Sequence, residues 1–174
     1  MELKKAKSIA AELIKTLSPY CNRIEIAGSI RRNKPEVKDI ELVVIPSKYH
    51  LEKYFIDNKK LYSFNKNGGK YKQFVYQGIN IDLFISNVGN FGLIYLIRTG
   101  SAEFSQRMLA RWKQVSKGGY SKDGYLHTAE GEALFTFAEE EVFQKCEMEI
   151  VHPEDRVWLF YFAICCKQNY FWIT

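Results

Sequence analysis

The sequence predicts an α+β fold, and three observations carry that expectation. Apolar residues recur at two periods within one chain, every three to four residues in some segments and every second residue in others. The segments run α-β-β-α-β-β, then two helices, then a short hairpin and a last helix. Apolar residues make up 47% of the 174 and aromatic ones 15%, against 11 glycines and 4 prolines. A chain of that make-up buries a real core, which excludes disorder and low complexity.

Leu3, Ala6, Ile9, Ala10, Leu13, Ile14 and Leu17 share one side of a helix, with lysines between them, and Ser18-Pro19 closes it. Arg23–Ala27 alternates like a strand. Gly28–Lys38 has no period and reads as a loop; Asp39–Ile45 is a second strand, stopped by Pro46. Lys48–Leu61 reads as a helix, and Asn67-Gly68-Gly69 as a turn. Tyr71–Tyr76 and Ile79–Ile85 form a hairpin joined at Gln77-Gly78. Phe91–Arg98 and Ala102–Val115 are helical, with Thr99-Gly100-Ser101 between them and Gly118-Gly119 ending the second. Short strands follow around Tyr125–His127 and Ala133–Phe135. Thr136 and Glu139 then have the spacing of a capping box ahead of an acidic helix.

Charge divides the chain. Residues 1–122 carry a net +12, and residues 123–155 a net −9. The basic body suits a polyanionic partner such as nucleic acid or nucleotide phosphates; an ordinary solvated surface explains it equally well. Cys21, Cys146, Cys165 and Cys166 make no CxxC, so reduced thiols are expected. His50, His127 and His152 are too scattered for a zinc site. Met1-Glu2-Leu3-Lys4-Lys5 opens into charged helical sequence, which reads as no secretory signal. The apolar run Val157–Cys166 is ten residues, half of the roughly 20 a membrane span needs. The expectation is a soluble cytoplasmic protein without a membrane partner. Its segment 157–174 is read as a packing or self-association tail.

The chemistry concentrates in three carboxylates. Asp39 and Glu41 sit two apart on a strand, so both leave the same face, where they repel each other unless a cation lies between them. Asp82 stands alone in the apolar run Ile79–Ile85, where an unpaired acid is costly. Three acids on neighbouring strands make an oxygen-rich pocket suited to Mg²⁺; ordinary strand acids and a salt-bridged Asp82 are the bland alternative. Ahead of them, Gly28-Ser29 and Arg31-Arg32 form a phosphate grip. The glycine admits oxygens to the backbone, the hydroxyl donates, and an arginine binds phosphate through parallel bonds.

The ordered set Gly28-Ser29-Ile30-Arg31-Arg32, Asp39-Ile40-Glu41 and Ile81-Asp82-Leu83 resembles the nucleotidyltransferase superfamily, and within it the family-X DNA polymerases. Thr99-Gly100-Ser101 resembles that family's palm-to-thumb junction, and His152–Arg156 its closing segment, so the likeness spans about residues 20–156. It implies a polymerase beta-like palm with a mixed sheet over 1–98 and a small α+β thumb over 99–156. It implies Asp39, Glu41 and Asp82 as catalytic ligands of two Mg²⁺ ions, for which Mn²⁺ substitutes. Gly28, Ser29, Arg32, Gly100 and Ser101 would bind a nucleoside triphosphate. Arg107 and Arg111, at i,i+4 on the helix after Ser101, are read as facing a phosphate backbone.

The resemblance implies a monomeric gap-filling DNA polymerase that takes a DNA primer-template or gapped DNA, of the compact kind found in phages and prophages. That places it in a bacterial or virus-infected host cell. Glu41 departs from the family's aspartate, Asn80 from an arginine, and Ile97-Arg98 from an aromatic pair. The fingers and lyase parts have no counterpart here. The alternatives are nucleotidyl transfer to RNA, protein or a small molecule, and a non-catalytic nucleic-acid-binding module.

Overall fold

The computed structural model describes residues 1–48 and 50–157; expectations for the tail at 158–174 lie outside the described residues. The fold is α+β. Its sheet is mixed and five-stranded, in the order β1-β2-β5-β4-β3, with β1 at Cys21–Ile26, β2 at Asp39–Pro46, β3 at Ser63–Asn67, β4 at Tyr71–Tyr76 and β5 at Ile79–Ile85. Only β2 and β5 run parallel; every other pair is antiparallel. A second, three-stranded sheet joins β6 (Tyr120–Lys122), β7 (Tyr125–His127) and β8 (Ala133–Leu134).

The alternation of β2 sorts its side chains between two faces. Ile40, Leu42 and Val44 are fully buried with Ile81 and Leu83 of β5, against Ala6, Ala10 and Leu13 of helix α1 (Leu3–Leu17) and Leu51 and Phe55 of α3 (His50–Asp57). The opposite face carries Asp39, Glu41 and Val43. Val43 and Phe84 lie in one apolar cluster with Phe91 and Tyr95 of α4 (Phe91–Thr99). Burying apolar side chains on both faces is the main favourable contribution to folding here.

α4 has a second apolar side. Leu93 and Leu96 lie in a separate core with Phe104, Met108 and Trp112 of α5 (Ala102–Val115) and Val142 and Phe143 of α6 (Glu139–Lys145). Ser101 caps α5 by accepting the Phe104 amide at 3.2 Å. The start of the chain also serves the sheet: the Met1 amine donates to the Val37 carbonyl and the Leu3 amide to that of Pro35, which fixes the approach to Asp39.

Five elements differ from expectation. Gly28–Arg31, read as loop, is a helical turn, α2, with the Arg32 amide bonded to the Gly28 carbonyl. β3 and β6 carry no apolar alternation because most or all of their side chains are exposed; main-chain pairing makes β6 a strand, and in β3 only Phe64 adds packing on the core. The helix expected over 48–61 ends at Asp57, where the Asn58 side-chain amide takes the Tyr54 carbonyl. The Thr136–Glu139 capping box does not form. The Thr136 hydroxyl accepts the Leu93 amide, and Glu139 belongs to two arginines. The β4–β5 hairpin does turn at Gln77-Gly78, both with positive φ, as a tight two-residue turn requires.

Cys21 and Cys146 are free thiols. Among the described residues no helix is long and apolar enough to cross a membrane.

Candidate active site

The parallel ladder sets Glu41 of β2 directly beside Asp82 of β5, and Asp39 beside Asn80. In-register residues of parallel strands share a face, so Asp39, Glu41 and Asp82 emerge on one side of the sheet. α4 covers that side only at the Val43–Phe84 end. The acids occupy the end it leaves open, and all three are half-buried.

Gly28 is pressed onto this cluster. A Cβ on it would lie 1.7 Å from Glu41 Oε2, and its φ is +60°. The glycine expected to admit a phosphate therefore first admits a carboxylate. Burial, followed by the charge of Asp39 and with Asp82 adding to it, pushes the Glu41 carboxyl up to about 7, against the pull of Arg32 and Arg98. Burial and then Asp82 raise Asp39 as well. Asp82 is held from the other side: its Oδ1 accepts the Tyr71 hydroxyl at 2.5 Å and the Gln73 amide at 2.8 Å. Among the described residues no three acidic, His or Cys side chains already stand together as a cage for a metal.

Arg32 donates through one terminal nitrogen to the Thr99 carbonyl at 2.5 Å and to that of Gly100 at 3.1 Å, tying the turn after β1 to the α4–α5 junction. Its Nε and the Ser29 hydroxyl are buried and have no hydrogen-bond partner among the described residues. Gly100 packs under Phe104, where a Cβ would sit 2.4 Å from the ring. Ser101 spends its hydroxyl on the cap described above. So Gly28 and Arg32 lie with the acids, Gly100 is tied to them through Arg32, Ser29 sits between Gly28 and Arg32 in the chain, and Ser101 works within the backbone.

Of the two helical arginines, Arg111 has local partners. Arg111 donates its Nε to the Cys146 carbonyl at 3.0 Å and pairs with Glu147 at 3.6 Å. Arg107 is half-buried on the same helix and has a partner. Arg31 turns away from the acids altogether. It forks onto Glu139, with both bonds at 2.7 Å, and donates to the Thr99 hydroxyl. Arg156, fully buried, forks onto the same carboxylate.

An open cleft of about 1120 Å³ leads away from Glu41 and Asp82. Its basic lining residues are Lys66, Lys70, Arg98 and Lys122, and its walls come from the β3–β4 turn, α4 and the β6–β7 hairpin. Arg98 stacks over Phe84, which stacks in turn on Tyr71. From sequence, Arg98 enters only as a departure from the family's aromatic pair, and Tyr71 and Gln73 only as parts of a hairpin strand. The cross-strand position of Tyr71, diagonal to Asp82, brings it to the acids.

No protein-family model matches the chain, and no curated protein matches it.

Proposed function

We propose that the chain is a Mg²⁺-dependent nucleotidyltransferase, a DNA polymerase of the family-X kind that adds a deoxynucleotide to a primer 3′-hydroxyl. The observation that carries this reading is the trio of carboxylates on one sheet face. Glu41 is in register with Asp82 across β2 and β5, with Asp39 two residues before it on the same face, and Glu41 and Asp82 open to a cleft whose lining includes Lys66, Lys70, Arg98 and Lys122 as well as Asp123. An acid held up to about 7 by burial and its neighbours is a site that a divalent cation would relieve.

Asp39, Glu41 and Asp82 supply the oxygen donors Mg²⁺ prefers, and Mn²⁺ accepts the same set. When bound, the two ions would stabilise the charge that develops on the attacking and leaving oxygens. The chain's own residues do the rest. Tyr71 and Gln73 fix the Asp82 carboxylate by two hydrogen bonds, so it meets an incoming hydroxyl already oriented. The unpartnered Ser29 hydroxyl and Arg32 Nε are buried donors for the triphosphate oxygens. The primer hydroxyl forms the new bond to the α-phosphorus, pyrophosphate leaves, and the hydroxyl proton passes to the site's carboxylates or water.

Ile97 and Arg98 in the cleft favour keeping a second acceptor class open, because they stand in place of the family's aromatic pair on the sugar side. The test supplies Mg²⁺, labelled primer on gapped DNA, and each dNTP or NTP. Template-directed addition is expected. Untemplated addition, or labelling of RNA, protein or a small molecule alone, would move the activity to the second class. Salt-sensitive binding without transfer would leave a binding module.

A further inference from the structure

Two large rings stand out of the protein at the edge of the cleft. Phe135 is 59% exposed and Phe137 50% exposed, although a phenyl ring gains by burial. They lie 6.2 Å apart between centroids, and Phe135 meets Tyr125, a cleft residue, edge-on at 6.1 Å. Phe135 also rests on Gly89, where a Cβ would come within 2.7 Å of the ring. The rings are thus continuous with the cleft wall, and Val88, 58% exposed, lies beside Gly89 in the chain.

The charges around them are weighted to one side. Lys122 lines the cleft three residues from Tyr125 and Lys66 faces it from β3, while Lys70 on the facing turn is paired with Asp123 at 2.8 Å. On the other side Glu141 accepts the Phe137 amide and stands with Glu139 and Glu140 in the first turn of α6. A polyanion is attracted along one flank of the rings and repelled from the other. Exposed aromatic faces beside a basic track are what a single strand of nucleic acid needs, with bases stacked on rings and phosphates on lysines.

We infer that Phe135 and Phe137, with Tyr125, form a base-stacking platform for a single-stranded nucleic acid whose backbone runs along Lys122 and Lys66. The inference rests on the proposed nucleic-acid chemistry of the cleft and adds a site for the unpaired strand. It assigns the acidic flank a role as well: Glu141 and its neighbours confine the strand to the cleft side.

The experiment compares binding of short oligo(dT) with an abasic oligomer of the same length at low salt, by fluorescence anisotropy. The parent should bind oligo(dT) more tightly. The double variant Phe135→Ala with Phe137→Ala should lose about tenfold for oligo(dT) and nothing for the abasic strand. Lys122→Ala should weaken both probes alike. The variant with Phe135→Leu and Phe137→Leu keeps apolar volume without a stacking face and should behave like the alanine pair, with unchanged thermal unfolding.

Unchanged oligo(dT) affinity in both double variants would overturn the platform. So would a loss of self-association in sedimentation with DNA binding intact, which would make the patch a contact between copies. Transfer on gapped DNA by the parent tells the two readings apart. Transfer with ring-independent binding defeats the platform alone, whereas no transfer and no binding to either probe defeats both.

Discussion

Glu41 Oε2 occupies the space where a side chain on Gly28 would begin: a Cβ there would lie 1.7 Å away. The main chain after β1 and the second carboxylate of β2 are thereby locked to each other. Any change at one is felt at the other.

Gly28→Ala should therefore cost more than backbone strain. Gly78, with φ +78° and open space around its Cβ, provides the reference, since Ala there pays only about 1–2 kcal/mol for the left-handed conformation. Gly28→Ala must pay that and displace a half-buried carboxylate, so its loss in urea unfolding should exceed that of Gly78→Ala by at least about 1 kcal/mol. Equal losses would mean that Glu41 swings away freely.

The raised Glu41 carboxyl makes a prediction about pH. Its pKa in the folded chain, about 7, lies above its ordinary value of 4.5, so the folded state holds the proton more tightly than the unfolded one. Without divalent cation, stability should fall as pH rises from about 4.5 to about 7 and level off above that. Glu41→Gln should flatten this window and be the more stable protein at pH 8. Thermal unfolding across the range, with and without Mg²⁺, reads both effects; Mg²⁺ should restore the parent and leave the variant unmoved.

Glu139 behaves in the opposite sense. Burial opposes its charge, but Arg156 and Arg31 outweigh burial and hold the carboxyl at about 2. The stability it contributes is present above about 4.5 and is lost as pH falls toward 2. Glu139→Gln leaves two guanidinium groups without a counter-charge, one fully buried, and should cost about 3–5 kcal/mol at neutral pH. A loss below about 1 kcal/mol would show that water compensates the arginines.

Asp82→Asn keeps an oxygen for the Tyr71 hydroxyl and the Gln73 amide while removing the charge. The fold should persist and nucleotide affinity should be largely kept. Single-turnover transfer should fall by orders of magnitude. Transfer at nearly the parent rate would make Asp82 a structural acid.

Much of this was legible in the residues. The alternation in Asp39–Ile45 puts Asp39 and Glu41 on one face, because a strand's period admits nothing else. The same period in Ile79–Ile85 orients Asp82. The register that sets Glu41 beside Asp82 was not legible, because parallel pairing joins residues 41 apart through main-chain bonds that leave no mark in composition. β3 and β6 were missed for the related reason that strands with exposed side chains have no apolar pattern. Thr136 and Glu139 illustrate the converse. Their local spacing is that of a cap, and tertiary partners, the Leu93 amide and two distant arginines, claim both side chains instead.

α4 faces two ways, with Phe91 and Tyr95 toward the sheet and Leu93 and Leu96 toward the second core. Cutting the chain between Gly100 and Ser101 would not release two self-sufficient proteins. The first fragment would carry a bare leucine stripe and an Arg31 robbed of its acid, and the second would lack the wall its own core is built on. Such halves would behave as a split pair, inert apart and recovering structure only when mixed. Any rocking of one half against the other must begin by prising the Arg31 fork off the Glu139 carboxylate.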